Sequence, residues 1–171
     1  MSAMNKPIRW GILGTGLIAA EFAKAMHHVR DAELLSVGSR TRSSARDFAN
    51  AHGIAHAHAS YEALAEDPNV DVVYIATPHT LHFENTLLCL QAGKNVLCEK
   101  PFALNTAQVT DMVIAAREHK LFLMEAMWMR FIPLIRDLVR RLAENEIGEV
   151  KMLQADFGFR APLIHPVVFS I

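Results

Sequence analysis

Residues 8–25 read I-R-W-G-I-L-G-T-G-L-I-A-A-E-F-A-K-A, from Ile8 to Ala25. An apolar run, Trp10 to Leu13, leads into Gly14-Thr15-Gly16-Leu17-Ile18-Ala19, and apolar residues at helical spacing follow at once. The order is strand, tight turn, helix. Each small residue has a physical task in such a turn: Gly14 permits the sharp reversal, Gly16 lets the main chain approach a pyrophosphate, and Ala19 keeps helix and strand close. First-turn N–H groups of the helix then point at an anion, and the helix dipole adds to the attraction. A G-x-G-x-x-A run alone recurs by chance, so its place between a strand and a helix carries the reading of dinucleotide binding, with Gly14, Thr15, Gly16, Leu17 and Ile18 against the ligand. The alternative is a plain β-α turn whose glycines serve packing alone.

Outward from this turn, strand-like and helix-like stretches alternate, which predicts an α/β chain with a doubly wound parallel sheet. Residues 33–39, E-L-L-S-V-G-S, read as a second strand. In an NAD-binding unit an acidic side chain at its end would accept from the ribose 2'-OH and repel a 2'-phosphate. This chain has Ser39-Arg40-Thr41-Arg42-Ser43-Ser44 there. Guanidinium groups offer planar, paired donors to phosphate oxygens, so the corner favours NADP over NAD. As an ordinary solvated loop, it would cap the next helix, residues 44–52, with Ser43 or Ser44.

V-D-V-V-Y-I-A (70–76) is the most strand-like segment and runs into Thr77-Pro78-His79-Thr80-Leu81-His82. Ligands of doubly wound sheets bind at the carboxyl ends of strands, so this loop is expected to face the cofactor. His79 and His82, at i and i+3, lack a third metal ligand nearby; they read as hydrogen-bonding groups near the nicotinamide or substrate, or as helix caps. His56 and His58 alternate on one strand face without a carboxylate or Cys at ligand spacing, so they read as surface histidines and no metal is expected. After the strand N-V-L-C (95–98) stands Glu99-Lys100-Pro101. A Lys at the mouth of a nucleotide site orients the ribose and nicotinamide or polarises a substrate oxygen. On a surface turn the same residues would be unremarkable.

Composition narrows the field. With 51% hydrophobic and 20% charged residues over 171 positions, the chain is globular in character and long enough for one good core. Seventeen basic and eighteen acidic residues leave a net charge of −1, which excludes nucleic-acid or membrane surfaces that work by bulk electrostatics. Small molecules or other protein chains are the expected partners. Cys89 and Cys98 lack C-x-x-C spacing, as suits a reducing compartment. With no secretory leader and no apolar run of about 18 residues, the expectation is a cytoplasmic protein without a membrane span.

Five motifs occur in order across residues 8–161: Gly14-Thr15-Gly16-Leu17-Ile18-Ala19; Ser39-Arg40; Ala76-Thr77-Pro78 with His79 and His82; Cys98-Glu99-Lys100-Pro101; and Leu123-Met124-Glu125-Ala126 with Trp128, Arg130, Phe131 and Pro133. On these the chain resembles the Gfo/Idh/MocA family of NAD(P)-dependent oxidoreductases, most of all its dimeric dihydrodiol dehydrogenase branch, whose members also oxidise D-xylose with NADP. The resemblance implies that Lys100 is catalytic, near the reacting carbon, and that Ser39 and Arg40 contact the adenosine phosphate. It further implies that Thr77 to His82 line the cofactor groove, that Glu99, Lys100, Trp128 and Arg130 also meet the cofactor, and that Trp128 and Phe157 border a sugar or trans-dihydrodiol. Intact members of this branch are expected to be homodimers.

The implied organisation is a loose segment 1–7, an NAD(P)-binding Rossmann domain over 8–130, and over 131–171 a connecting helix and the truncated beginning of an α+β substrate and dimerisation domain. V-K-M-L-Q-A-D-F-G-F (150–159) alternates like a new strand, whereas L-I-H-P-V-V-F-S-I (163–171) does not resemble the family's continuation. In this branch the proton-transfer partner of the Lys is a Tyr beyond the matched region; Tyr61 and Tyr74 both fall in the nucleotide domain, so neither inherits that role. The chain is therefore expected to fold its nucleotide half and to turn over poorly alone. The alternative function is a non-catalytic NAD(P)-binding module or inactive fragment.

Overall fold

The computed structural model describes residues 6–156 and 158. Strands β1 (Ile8–Leu13), β2 (Ala32–Gly38), β3 (His56–His58), β4 (Val72–Ile75), β5 (Asn95–Cys98) and β6 (Leu123–Glu125) form one sheet in the order β3-β2-β1-β4-β5-β6. Every pairing is parallel. This is the doubly wound order of a Rossmann fold. All four residues of β4 are buried, as a central parallel strand covered on both faces requires.

Helices α1 (Leu17–Met26), α2 (Arg42–His52), α3 (Tyr61–Ala65), α4 (His82–Gln91) and α5 (Thr106–Glu118) complete the unit. Successive strand residues point to opposite faces, so one strand feeds two cores. Leu13, Val73, Ile75 and Val96 join Leu64 and Leu90 on one side. Ile12, Val37 and Tyr74 join Ala19, Ala23 and Phe48 on the other. Local chemistry sets the helix ends: Asn105 Oδ1 accepts from Gln108 N at 3.0 Å to start α5, and Gly53, at φ 67°, ends α2 in the left-handed region. The start of α2 differs from the expected one. Thr41, extended, accepts the Ser44 N–H at 3.3 Å, so α2 begins at Arg42 and the two serines lie in its first turn.

The chain divides into two compact units, Met1–Met127 and Trp128–Ile171. The second holds a 3-10 turn (Trp128–Phe131) and α6 (Pro133–Ala143), with Pro133 in its first turn. The basic face of α6 is laced by ion pairs, Arg140 and Arg141 each holding Asp137 at 2.7 Å. The expected strand over 150–159 is not formed in residues 150–156, which are exposed coil. An alternating segment becomes a strand when a neighbour takes its N–H and C=O groups, and among the described residues none does. Phe157 lies outside the described residues. No described helix is long and apolar enough to cross a membrane.

Candidate functional site

Strand order reverses between β1 and β4, and the turns that follow these two strands flank the resulting crevice. Gly14 sits at its floor with φ +104°, donating its N–H to Gly38 O at 2.9 Å. A Cβ on Gly14 would lie 2.7 Å from the carbonyl oxygen of Ala76. Gly16 is the N-cap of α1 and supplies no side-chain cap. A Cβ there would meet nothing within 4 Å. Leu17 and Ile18 are exposed, while Ala19 is fully buried and brings α1 close to the sheet. The start of α1 is thus open, with first-turn N–H groups that no side chain among the described residues satisfies.

At the next corner Ser39 is buried and donates its N–H to His58 O at 3.2 Å. Arg40 and Arg42 are exposed, and no ion pair among the described residues engages either. The guanidinium groups are open to an anion.

The loops after β4 and β5 are knitted together from below. Thr77 is buried, and its Oγ1 accepts from Asn85 Nδ2 at 3.0 Å. His82, 1% exposed, turns one ring nitrogen to Thr77 O at 3.0 Å and the other to Pro101 O at 2.7 Å. It therefore offers no ring nitrogen to a ligand, whereas Pro78 and His79 are exposed. Glu99 is buried as well: Oε1 accepts the Tyr74 hydroxyl at 2.6 Å, and Oε2 accepts the Lys100 N–H at 3.1 Å. Glu125 Oε1 takes the Phe102 N–H at 3.0 Å and ties this loop to β6. Lys100 itself is exposed. Trp128 and Arg130 belong to the second unit and are exposed.

Sequence reasoning missed Tyr74. Burial, then its hydrogen bond to Glu99 and the charge of that carboxylate, push its pKa far above the usual tyrosine range. It is a permanent donor, stacked on Phe22 at 3.8 Å between ring centroids. Period-2 alternation could place Tyr74 on a buried face, but the bond to Glu99 depends on the β4–β5 register, Tyr74 opposite Leu97. Tyr74→Phe keeps the stack and strips a buried carboxylate oxygen of its donor. The expected cost is about 1–3 kcal/mol, read by urea unfolding.

The Gfo/Idh/MocA family model, described as an oxidoreductase family with an NAD-binding Rossmann fold, matches residues 8–127. The chain belongs to the Gfo/Idh/MocA oxidoreductases. This Gfo/Idh/MocA chain is 46% identical over 153 residues to the trans-1,2-dihydrobenzene-1,2-diol dehydrogenase of Sus scrofa, with 88% of this chain and 46% of the relative covered. Among solved structures, a 3-ketoreductase from Actinomadura kijaniata in complex with TDP-benzene and NADP aligns at 34% identity and a TM-score of 0.78, over 84% of this chain and 46% of that one. A biliverdin reductase from Synechocystis, in complex with biliverdin and NADP+, aligns at 31% identity and a TM-score of 0.70, over 81% and 43%. The chain spans about half the length of the curated relatives it matches.

Proposed function

We propose that the chain binds NADP across the β1/β4 crevice and serves an oxidoreductase that moves a hydride between NADP and a sugar or trans-dihydrodiol CH–OH group. The observation that carries this is the exposed Arg40, without an ion-pair partner among the described residues, beside buried Ser39 at the strand end where an NAD-binding unit needs an acidic group. The open N-terminus of α1 fits a pyrophosphate, and the space above Gly16 admits its oxygens. Two of the similar solved structures hold NADP, and the Sus scrofa relative is a diol dehydrogenase.

Bound NADP would supply the carbon that takes or gives the hydride. The chain's own part is binding and orientation. Gly14 shapes the turn with its own N–H held by Gly38 O, backbone N–H groups from Thr15 to Ile18 hold the pyrophosphate, Ser39 and Arg40 the 2'-phosphate, and Thr77, Pro78 and His79 line the groove. Lys100 keeps its ammonium near the substrate oxygen, where it positions the alcohol and stabilises the negative charge left on that oxygen when its proton departs to solvent, ahead of hydride transfer to NADP. Glu99 acts by holding the Lys100 main chain. His82 acts through the carbonyls of Thr77 and Pro101, so its place in the groove is indirect. Trp128, Arg130 and Phe157 are assigned to the cofactor and substrate on the family resemblance. The same resemblance supports a homodimer for the full-length protein. Two buried cysteines, their thiols pushed up to about 12 chiefly by burial, are compatible with a reducing cytoplasm.

Titration of the purified chain with NADPH and NADH, followed by reduced-nicotinamide fluorescence, tests the reading. NADPH is expected to bind at least about tenfold tighter, a difference of about 1.4 kcal/mol. Equal affinities would sink the phosphate assignment. Reduction of NADP by D-xylose or a trans-dihydrodiol at the rate of an ordinary dehydrogenase would overturn the expectation that this chain turns over poorly alone.

A further inference from the structure

On β3, outside the crevice, the structure brings to His56 and His58 a carboxylate that their sequence spacing did not show. The turn after α3 brings Asp67, only 6% exposed, to both rings. His58 Nε2 lies 3.0 Å and His56 Nδ1 3.4 Å from Asp67 Oδ2, and Ser36 Oγ donates to the same oxygen at 2.9 Å. Three groups converge on one carboxylate oxygen that has lone pairs for about two. The other oxygen, Oδ1, is filled by the Asn69 N–H at 2.9 Å and its amide at 3.2 Å.

We propose that His56 Nδ1, His58 Nε2 and Asp67 Oδ2 form a binding site for one divalent transition-metal ion of the Zn2+ class, with solvent completing its sphere. The three donor atoms lie within 4.8 Å of one another. A tetrahedral ion with bonds of about 2.0–2.2 Å keeps its donors about 3.3–3.6 Å apart; the His56–Asp67 separation of 3.4 Å is of that size, and the His58–Asp67 separation of 3.0 Å needs only a few tenths of an ångström of opening. Two imidazoles with one carboxylate suit Zn2+, Co2+ or Ni2+ and not Ca2+ or Mg2+, which take oxygen ligands. Ser36 and Asn69 supply the outer hydrogen bonds that orient a ligating carboxylate. Burial pushes the Asp67 pKa up, but the Asn69 N–H, Ser36 and both histidines outweigh it and hold the carboxyl well below its usual range. His56, with 44% of its side chain exposed, gives an ion its way in.

Lys94 is the nearby opposing charge. Its Nζ is spent on the main-chain oxygens of Asp67 and Val70, at 2.6 and 2.9 Å, so it leaves the carboxylate free while weakening cation affinity. An ion held here would fasten the three-residue edge strand β3 to the α3–β4 turn. Because His58 O accepts the Ser39 N–H, it would also steady the corner that carries Arg40. The site does not depend on the cofactor reading.

The test adds Zn2+ or Co2+ alone to chelator-stripped protein. The melting temperature should rise on the order of 5–10 °C at about 100 times Kd, and Co2+ should develop the visible absorption of a tetrahedral N/O site. The double variant His56→Ala/His58→Ala should abolish both responses. Ser36→Ala should weaken binding about 10–100-fold, while His119→Ala should change nothing. The changed histidines are partly exposed, and circular dichroism checks that the variants fold. No response to Zn2+, Co2+ or Ni2+ at millimolar concentration, or a response that survives in the double variant, overturns the proposal.

Discussion

Arg40→Ala will weaken NADPH binding about 10- to 150-fold and leave NADH within about twofold, because hydrogen bonds to a charged group contribute about 1.5–3 kcal/mol and each 1.4 kcal/mol is tenfold. Arg40 has no ion-pair partner among the described residues. Its removal strands no carboxylate and disturbs no packing, so a loss confined to the 2'-phosphorylated cofactor isolates the phosphate contact. Direct titration of both cofactors against wild type and variant is the measurement. A parallel loss for NADPH and NADH would point to the pyrophosphate or to a distorted corner. No loss for either would remove Arg40 from the site. Arg42, in the first turn of α2, is the second guanidinium at this corner, so Arg40→Ala/Arg42→Ala should lose more than the single variant.

Gly14→Ala is expected to destabilise the fold by about 2–4 kcal/mol, a fall in melting temperature of roughly 4–16 °C for a chain of this size. The left-handed backbone at φ +104° is strained for any L side chain, and the new methyl would press on the Ala76 carbonyl from 2.7 Å. That carbonyl belongs to the main chain beside the sheet, so it cannot yield as a flexible side-chain tip would. Gly16→Ala is the informative partner. Its backbone, at φ −81° and ψ −176°, is ordinary extended chain, and the added methyl meets no protein atom within 4 Å. Stability should stay within about 0.5 kcal/mol of wild type, while NADPH affinity falls because the methyl stands where pyrophosphate approaches. A thermal melt and a titration on both variants separate the two meanings of the opening glycines. If Gly16→Ala binds NADPH normally, the turn serves packing alone.

What the sequence revealed depended on how local the cause was. Strand β5 follows from neighbouring residues, and the structure has it where the pattern puts it. The Thr41 cap was off by two or three positions because three hydroxyl residues, Thr41, Ser43 and Ser44, compete for one role, and the extended backbone at Thr41 decides it. Residues 150–156 show the opposite error: alternation describes a strand's faces, but only a pairing partner makes the strand. The candidate site divides in the same way. Its loops were readable as the residues that follow apolar runs. The Tyr74–Glu99 bond and the meeting of Asp67 with His56 and His58 link residues 9 to 25 positions apart. Such contacts are set by sheet register and turn path, which no short window contains.

The buried imidazole of His82 has one more effect. By reaching the carbonyls of Thr77 and Pro101 at once, it turns loops from two different strands into a single jaw. On the proposed reading, a nucleotide lying over Thr77 would bear on the same assembly that presents Lys100. On that reading the amine would be set in place by a side chain too deeply buried to meet the ligand itself.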